Sequence, residues 1–176
     1  MAYSKPLEKL SINTPASNLF SVPVLVSMLG HVFVQLIFQI GTFYAVRSGS
    51  FYQQTHVDTS STSLDDNTES FEGTACFVFA NFVYLLLSWI LSVGHPFREH
   101  ITKNLMFIGC FIFLALCSLY ILIIPDRAIR HLLQMENIPL YFRASILFWI
   151  GCYLFVAFNL ELFSKSLHAK YISSSQ

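Results

Sequence analysis

Few side chains in this sequence could do acid–base or metal chemistry. His95, Glu99 and His100 fall close together in the stretch "GHPFREHITKN". Two imidazoles and a carboxylate are metal-ligand types, but here they sit in a short, solvated turn. Gly94 and Pro96 give that turn a simpler role, since both residues end helices. The remaining histidines, His31, His56, His131 and His168, are dispersed. Cys76, Cys110, Cys117 and Cys152 all lie inside apolar runs, which suits small packed residues better than disulfides or a zinc site. Glu161 is the one acid inside a long apolar run, close to its end. Phosphate-binding Gly-rich loops, a Gly-x-Ser-x-Gly elbow and a His-Glu-x-x-His pair are all absent from the sequence. No catalytic, cofactor-binding or metal-binding residue is therefore assigned.

A second set of polar residues is more ordered. Ser27, His31, Gln35, Gln39 and Thr42 step by four, four, four and three. On a helix of 3.6 residues per turn they form one stripe. Asn81, Tyr84, Ser88 and Ser92 form another, and Ser145, Cys152 and Asn159 share a face. Hydrocarbon cannot satisfy these groups, so the stripes are expected to face protein. They serve either as ordinary interhelical glue or as a path for an ion or substrate. The candidate packing residues are His31, Gln35, Gln39, Asn81, Tyr84, Asn159 and Glu161.

The elements that carry these stripes follow from composition. The chain is 55% hydrophobic and 11% charged, with 18 Phe, 8 Tyr and 2 Trp. One globular core cannot hide so much apolar surface, and lipid is the expected solvent. A bilayer core needs roughly 20 apolar residues of helix. Runs near 22–46, 74–93, 104–124 and 141–163 qualify. The predicted fold is an all-α membrane protein, an antiparallel bundle of four transmembrane helices within 19–163. Polar segments flank it at 1–18 and 164–176, and no signal peptide opens the sequence. No basic patch supports a nucleic-acid partner.

Four spans put both termini on one side. Lys5, Lys9, Arg98, Lys103, Lys165 and Lys170 lie there, against Arg47, Arg127, Arg130 and Arg143 opposite. The excess of positive charge favours cytosolic termini. The connection Arg47–Gly73 contains "THVDTSSTSLDDNTES" and is expected to be a mobile lumenal or extracellular loop. After Pro125, the positions of Ile129, Leu132, Leu133 and Met135 suggest a short interfacial helix, with Arg127, Arg130 and His131 at headgroups or in solvent.

Two stretches then carry a family resemblance. "SNLFSVPVLVSMLGHVFVQLIFQ" resembles the seventh membrane helix of type-V P-type ATPases of subclass B, at Leu19, Ser21, Pro23, Val24, Leu25, Ser27, Gln35 and Gln39. "EGTACFVFANFVYLLLSWILSVGHPFREHITKN" is similar to the eighth helix and the turn after it. The matching residues are Glu72, Thr74, Phe77, Asn81, Phe82, Tyr84, Leu85, Gly94, Pro96, Phe97, Arg98 and Asn104. The resemblance continues through the ninth and tenth helices by hydropathy and spacing. Val83 stands where the family often has Gln, and His95 where it often has proline or another small residue.

The resemblance implies the C-terminal membrane portion of an ATP-driven cation or polyamine transporter of late endosomes and lysosomes. Its partners would be the bilayer and the transporter's remaining helices, which these four would support. ATP and Mg2+ would serve the parent protein, whose phosphorylated Asp lies in an Asp-Lys-Thr-Gly-Thr motif. That motif is missing here, so no catalytic residue is carried over and the chain alone is not expected to be an enzyme. A fragment, a truncated gene model and a short product of the same locus all fit. A stand-alone four-span adaptor is the alternative. An independent channel fits least well, because its pore would need several copies.

Overall fold

The computed structural model describes residues 22–52, 70–92 and 101–174, with side chains described as far as Leu167 except at 23 and 102. The turn bearing His95, Glu99 and His100, the Ser/Thr/Asp-rich loop and the N-terminal segment lie outside the described residues. Among the described residues, five α-helices follow one another: α1 Val22–Arg47, α2 Phe71–Ile90, α3 Leu105–Ile123, α4 Arg127–Leu133 and α5 Leu140–Ser174. A short 3-10 turn, Ile101–Lys103, leads into α3. Four of the helices are long and apolar enough to cross a membrane. The all-helical, four-span expectation therefore holds among the described residues.

Local chemistry sets the helix ends. Ser70 caps α2 by accepting a hydrogen bond from the Gly73 N–H at 3.1 Å, with Glu72 in the first turn. That cap starts the helix at Phe71, three residues ahead of the apolar run at 74. Asn104 caps α3 through the Phe107 N–H at 3.2 Å. Asp126 caps α4, and Gln134 closes it in the left-handed conformation at φ 50°. The short helix expected after Pro125 is thus present. α5 continues to Ser174, well past 163, because no glycine or proline interrupts "LFSKSLHAKYISS".

Contacts at both ends give the directions. Arg47 at the end of α1 meets Glu72 at the start of α2. Trp89 late in α2 packs at a tilt against Phe107 and Phe111 early in α3. Glu161 late in α5 meets Ser27 early in α1. Successive spans are therefore antiparallel. α1, α2 and α5 share the core, while α3 lies outside, against α2 and touching α5. Phe79, Val83, Tyr153 and Val46 are fully buried in that core. The outward faces of the spans stay apolar, with Leu29, Phe33, Phe113, Phe148 and Phe155 all more than half exposed. Such faces suit acyl chains.

Two glycines let α5 approach α1 closely. A Cβ on Gly30 would sit 2.9 Å from Leu160 Cδ2, and one on Gly41 would sit 2.9 Å from Trp149 Cζ2. Small residues at such crossings allow the close backbone packing on which membrane helices depend.

Candidate functional site

The polar groups gather into separate seams between helices. The most charged seam joins α1 to α5. Ser27 Oγ donates to Glu161 Oε2 at 2.8 Å. His31 Nε2 lies 3.5 Å from that same oxygen, an ion-pair distance but a long one for a hydrogen bond. Neither ring nitrogen of His31 has a hydrogen-bond partner among the described residues, although the residue is only 3% exposed. Lys165 Nζ, one helical turn beyond Glu161, stands 3.5 Å from its other oxygen. Sequence reasoning named His31 and Glu161 separately. The fold brings them together because α1 and α5 run antiparallel with Gly30 at the crossing.

Deeper along α1, aromatic rings fill the interface. Phe38 packs on Trp149 at 4.8 Å between centroids and edge-on to Tyr153 at 5.5 Å. Trp149 Nε1 donates to the Phe38 carbonyl at 3.2 Å, linking the two helices through an otherwise spent backbone oxygen. Gln39 Nε2 donates to the Cys76 carbonyl at 3.1 Å, from α1 to α2. Gln39 Oε1 and the Tyr153 hydroxyl are buried without a partner among the described residues.

A third seam holds α3. Asn81 Nδ2 donates to Ser118 Oγ at 3.0 Å, and Ser118 Oγ donates in turn to the Leu114 carbonyl at 2.8 Å. Ser118 was not singled out in the sequence. The signal was there, since it is the lone serine in the apolar stretch of α3.

Not every stripe residue joins a seam. Gln35 is half-buried between neighbours. Tyr84 is 64% exposed on the outside of α2. Asn159 is exposed, and its amide donates to the Phe155 carbonyl of its own helix at 2.7 Å. Ser145 likewise bonds within α5, to Tyr141. On α5 the shared polar face therefore satisfies itself locally rather than bridging helices.

The opposite end of the bundle carries two further clusters. Arg47 Nε lies 3.5 Å from Glu72 Oε1, the Tyr52 hydroxyl donates to Glu72, and the Arg47 guanidinium sits over the Phe43 ring at 5.1 Å. These residues line an open cleft of about 550 Å³ with Ser70, Gly73 and Cys76. Arg143 clamps the α3–α5 junction. Its Nε donates to the Ile138 carbonyl at 2.7 Å, Nη2 to Asn137 Oδ1 at 2.7 Å and Nη1 to the Ile123 carbonyl at 3.2 Å. Thr74 accepts from the Glu136 N–H at 2.9 Å, which ties the same junction to α2. Arg143 read in sequence only as a charge at a span end. Its planar fork is what lets it serve three acceptors at once.

Chemically, these seams bind helix to helix. No three of the described His, Cys, Asp and Glu side chains converge as a metal site would require. Among the described residues, the hydrogen-bonded polar groups fall in separate clusters: Ser27 with Glu161, Gln39 with Cys76, and Asn81 with Ser118.

The sequence matches no protein-family model. Similar proteins nevertheless cover most of it. It is 28% identical to polyamine-transporting ATPase 13A3 of Homo sapiens over 180 residues, which takes in 92% of this chain and 15% of that protein. It is 32% identical to the vacuolar cation-transporting ATPase YPK9 of Saccharomyces cerevisiae over 151 residues, 85% of this chain and 10% of that protein. A probable cation-transporting ATPase of Caenorhabditis elegans, catp-6, is 28% identical over 142 residues, 78% of this chain and 11% of that protein. The chain spans 10% to 15% of the length of these relatives.

Proposed function

We propose that this chain, whose homologues over about nine-tenths of its length are P-type ATPases of the 13A family and which corresponds to a partial region of them, is the C-terminal four-helix membrane portion of a cation- or polyamine-transporting ATPase. Its role there is to support the transport helices. The carrying observation is that transporter homology runs nearly end to end through a four-span helical unit. The internal seams agree with a supporting role. Asn81, Gln39, Trp149 and Glu161 each hold another helix, and among the described residues their bonds are separate from one another. The outward face of α1 is free to meet further helices. Leu29, Val32, Phe33 and Leu36 lie along it, each more than half exposed.

In this reading ATP and Mg2+ act on domains of the parent protein outside the matched region. Both termini are cytosolic, and the membrane is that of a late endosome, lysosome or related compartment. Sequencing complete transcripts that contain this coding sequence tests the proposal. An upstream open frame encoding Asp-Lys-Thr-Gly-Thr and further spans is the expected result. Its clear absence would favour a stand-alone adaptor that uses the same α1 face to bind another helix bundle.

A further inference from the structure

α4 is a capped helix that the rest of the fold does not bury. It joins two membrane spans, α3 ending at Ile123 and α5 starting at Leu140, so it lies at a membrane boundary. Asp126 and Gln134 close its two ends, yet none of its residues is buried. A helix of seven residues is too short to persist in water on propensity alone. Its stability calls for a surface to lie on.

The two faces of α4 define that surface. At about 100° per residue, Arg130, Arg127 and His131 fall within one arc of about 100°. Ala128, Leu132, Ile129 and Leu133 fill an arc of about 140° on the opposite side. Leu132 is 80% exposed, and Ile123, Ile124 and Leu140 at the adjoining ends of the spans are each more than half exposed.

The basic arc carries charge without a counter-charge. Among the described residues, Arg127, Arg130 and His131 form no ion pair with a carboxylate. Arg130 is half-buried, and its Nε has no hydrogen-bond partner among those residues. A buried donor left unpaired is costly. Arg143 stands near enough to Arg130 for the two charges to repel. Its own bonds go to the neutral oxygens of Ile138, Asn137 and Ile123. The two acids of this connection, Asp126 and Glu136, accept from the backbone N–H groups of Arg127 and Asn137.

We infer that α4 is a docking surface for anionic phospholipid, with Leu132, Ile129 and Leu133 in the acyl boundary and Arg127 and Arg130 on headgroup phosphates. A guanidinium fork matches phosphate oxygens two at a time, and such an oxygen supplies the acceptor that Arg130 Nε lacks. The phosphate charge also offsets the repulsion between Arg130 and Arg143. A soluble anion would bring the charge but would leave Leu132 uncovered. A zwitterionic headgroup brings its own ammonium, so net-negative lipid is preferred. The docking requires only that α3 and α5 cross the membrane, whichever leaflet α4 meets.

The test is amide hydrogen exchange on the full chain in lipid nanodiscs. One set holds phosphatidylcholine alone, and the other equal parts phosphatidylcholine and phosphatidylglycerol. An arginine near an anionic surface contributes roughly fivefold in binding, so the pair should slow exchange of the α4 amides on the order of tenfold in the anionic discs. The amides of α2 should not respond. Arg127→Gln with Arg130→Gln should abolish most of the difference, whereas Lys165→Gln, at the other end of the bundle, should keep it. Equal α4 exchange of the unaltered chain in the two lipids overturns the proposal, and needs no variant to fold. Equal protection from inorganic phosphate in phosphatidylcholine discs overturns it too, since the occupant would then be a soluble anion.

Discussion

Gly41→Ala is the sharpest probe of how α1 meets α5. The new Cβ would stand 2.9 Å from Trp149 Cζ2 and 3.6 Å from Cε2. Ordinary carbon contact begins at about 3.5 Å, so the indole must move by roughly half an ångström or more. It is not free to do so. Its N–H holds the Phe38 carbonyl at 3.2 Å, and its ring packs on Phe38 at 4.8 Å. Overpacking a well-filled site costs about 1–3 kcal/mol. Loss of the interhelical hydrogen bond adds about 0.6 kcal/mol in a membrane. Replacing Gly by Ala in a helix interior returns about 1 kcal/mol. The net expectation is a destabilisation of about 0.6–2.6 kcal/mol. Gly30→Ala provides the contrast. Its Cβ meets only the flexible end of Leu160, so the helix gain should leave that variant neutral or slightly stabilised. Reversible unfolding in SDS, followed by Trp149 fluorescence in a Trp89→Phe background, measures both. Equal effects at the two glycines, or a stabilised Gly41→Ala, would refute the packing argument.

Other perturbations follow from the same contacts. Arg143→Lys removes the fork that serves Ile138, Asn137 and Ile123, and should lower stability by about 1–2 kcal/mol; proteolysis between α3 and α5 should speed up, and an unchanged rate would argue against the clamp. Asn81→Leu should cost only about 0.6 kcal/mol in total stability. It should nevertheless loosen α3 selectively, since Asn81–Ser118 is a polar tie from α2 to α3, and increased amide exchange confined to α3 is the readout. Glu161→Ala leaves His31 buried without its nearest acceptor and should destabilise the chain more than Lys165→Ala, whose amine is mostly solvated. Matching midpoints for those two variants in SDS titrations would contradict the ranking.

Much of the architecture was legible in the sequence because lipid imposes simple rules. Long uncharged apolar runs must be helices, and their number and alternation follow from length alone. The helix ends were less legible. α2 begins at Phe71 because Ser70 caps it, and hydropathy does not register a cap. α5 runs to Ser174 because helix propensity continues after hydrophobicity falls. Polar stripes told which residues sit on one face but not which helix that face meets. His31 with Glu161 and Asn81 with Ser118 are separated by 130 and 37 positions, and only the packing order of the spans pairs them. Tyr84 shows the limit of periodicity. It shares a stripe with Asn81, yet it lies on the outer surface, because residues three apart on a helix diverge by about 60°.

The proposal that this chain is part of a transporting ATPase is tested most directly in native membranes. An antibody against residues 164–176 would detect the protein, and incubation with labelled ATP would report its chemistry. The expected result is a membrane-embedded species several-fold heavier than 20.1 kDa, as the 10% to 15% span of the relatives implies, carrying an acid-stable phosphoryl group. A lone species of about 20 kDa that takes up no phosphate would contradict it.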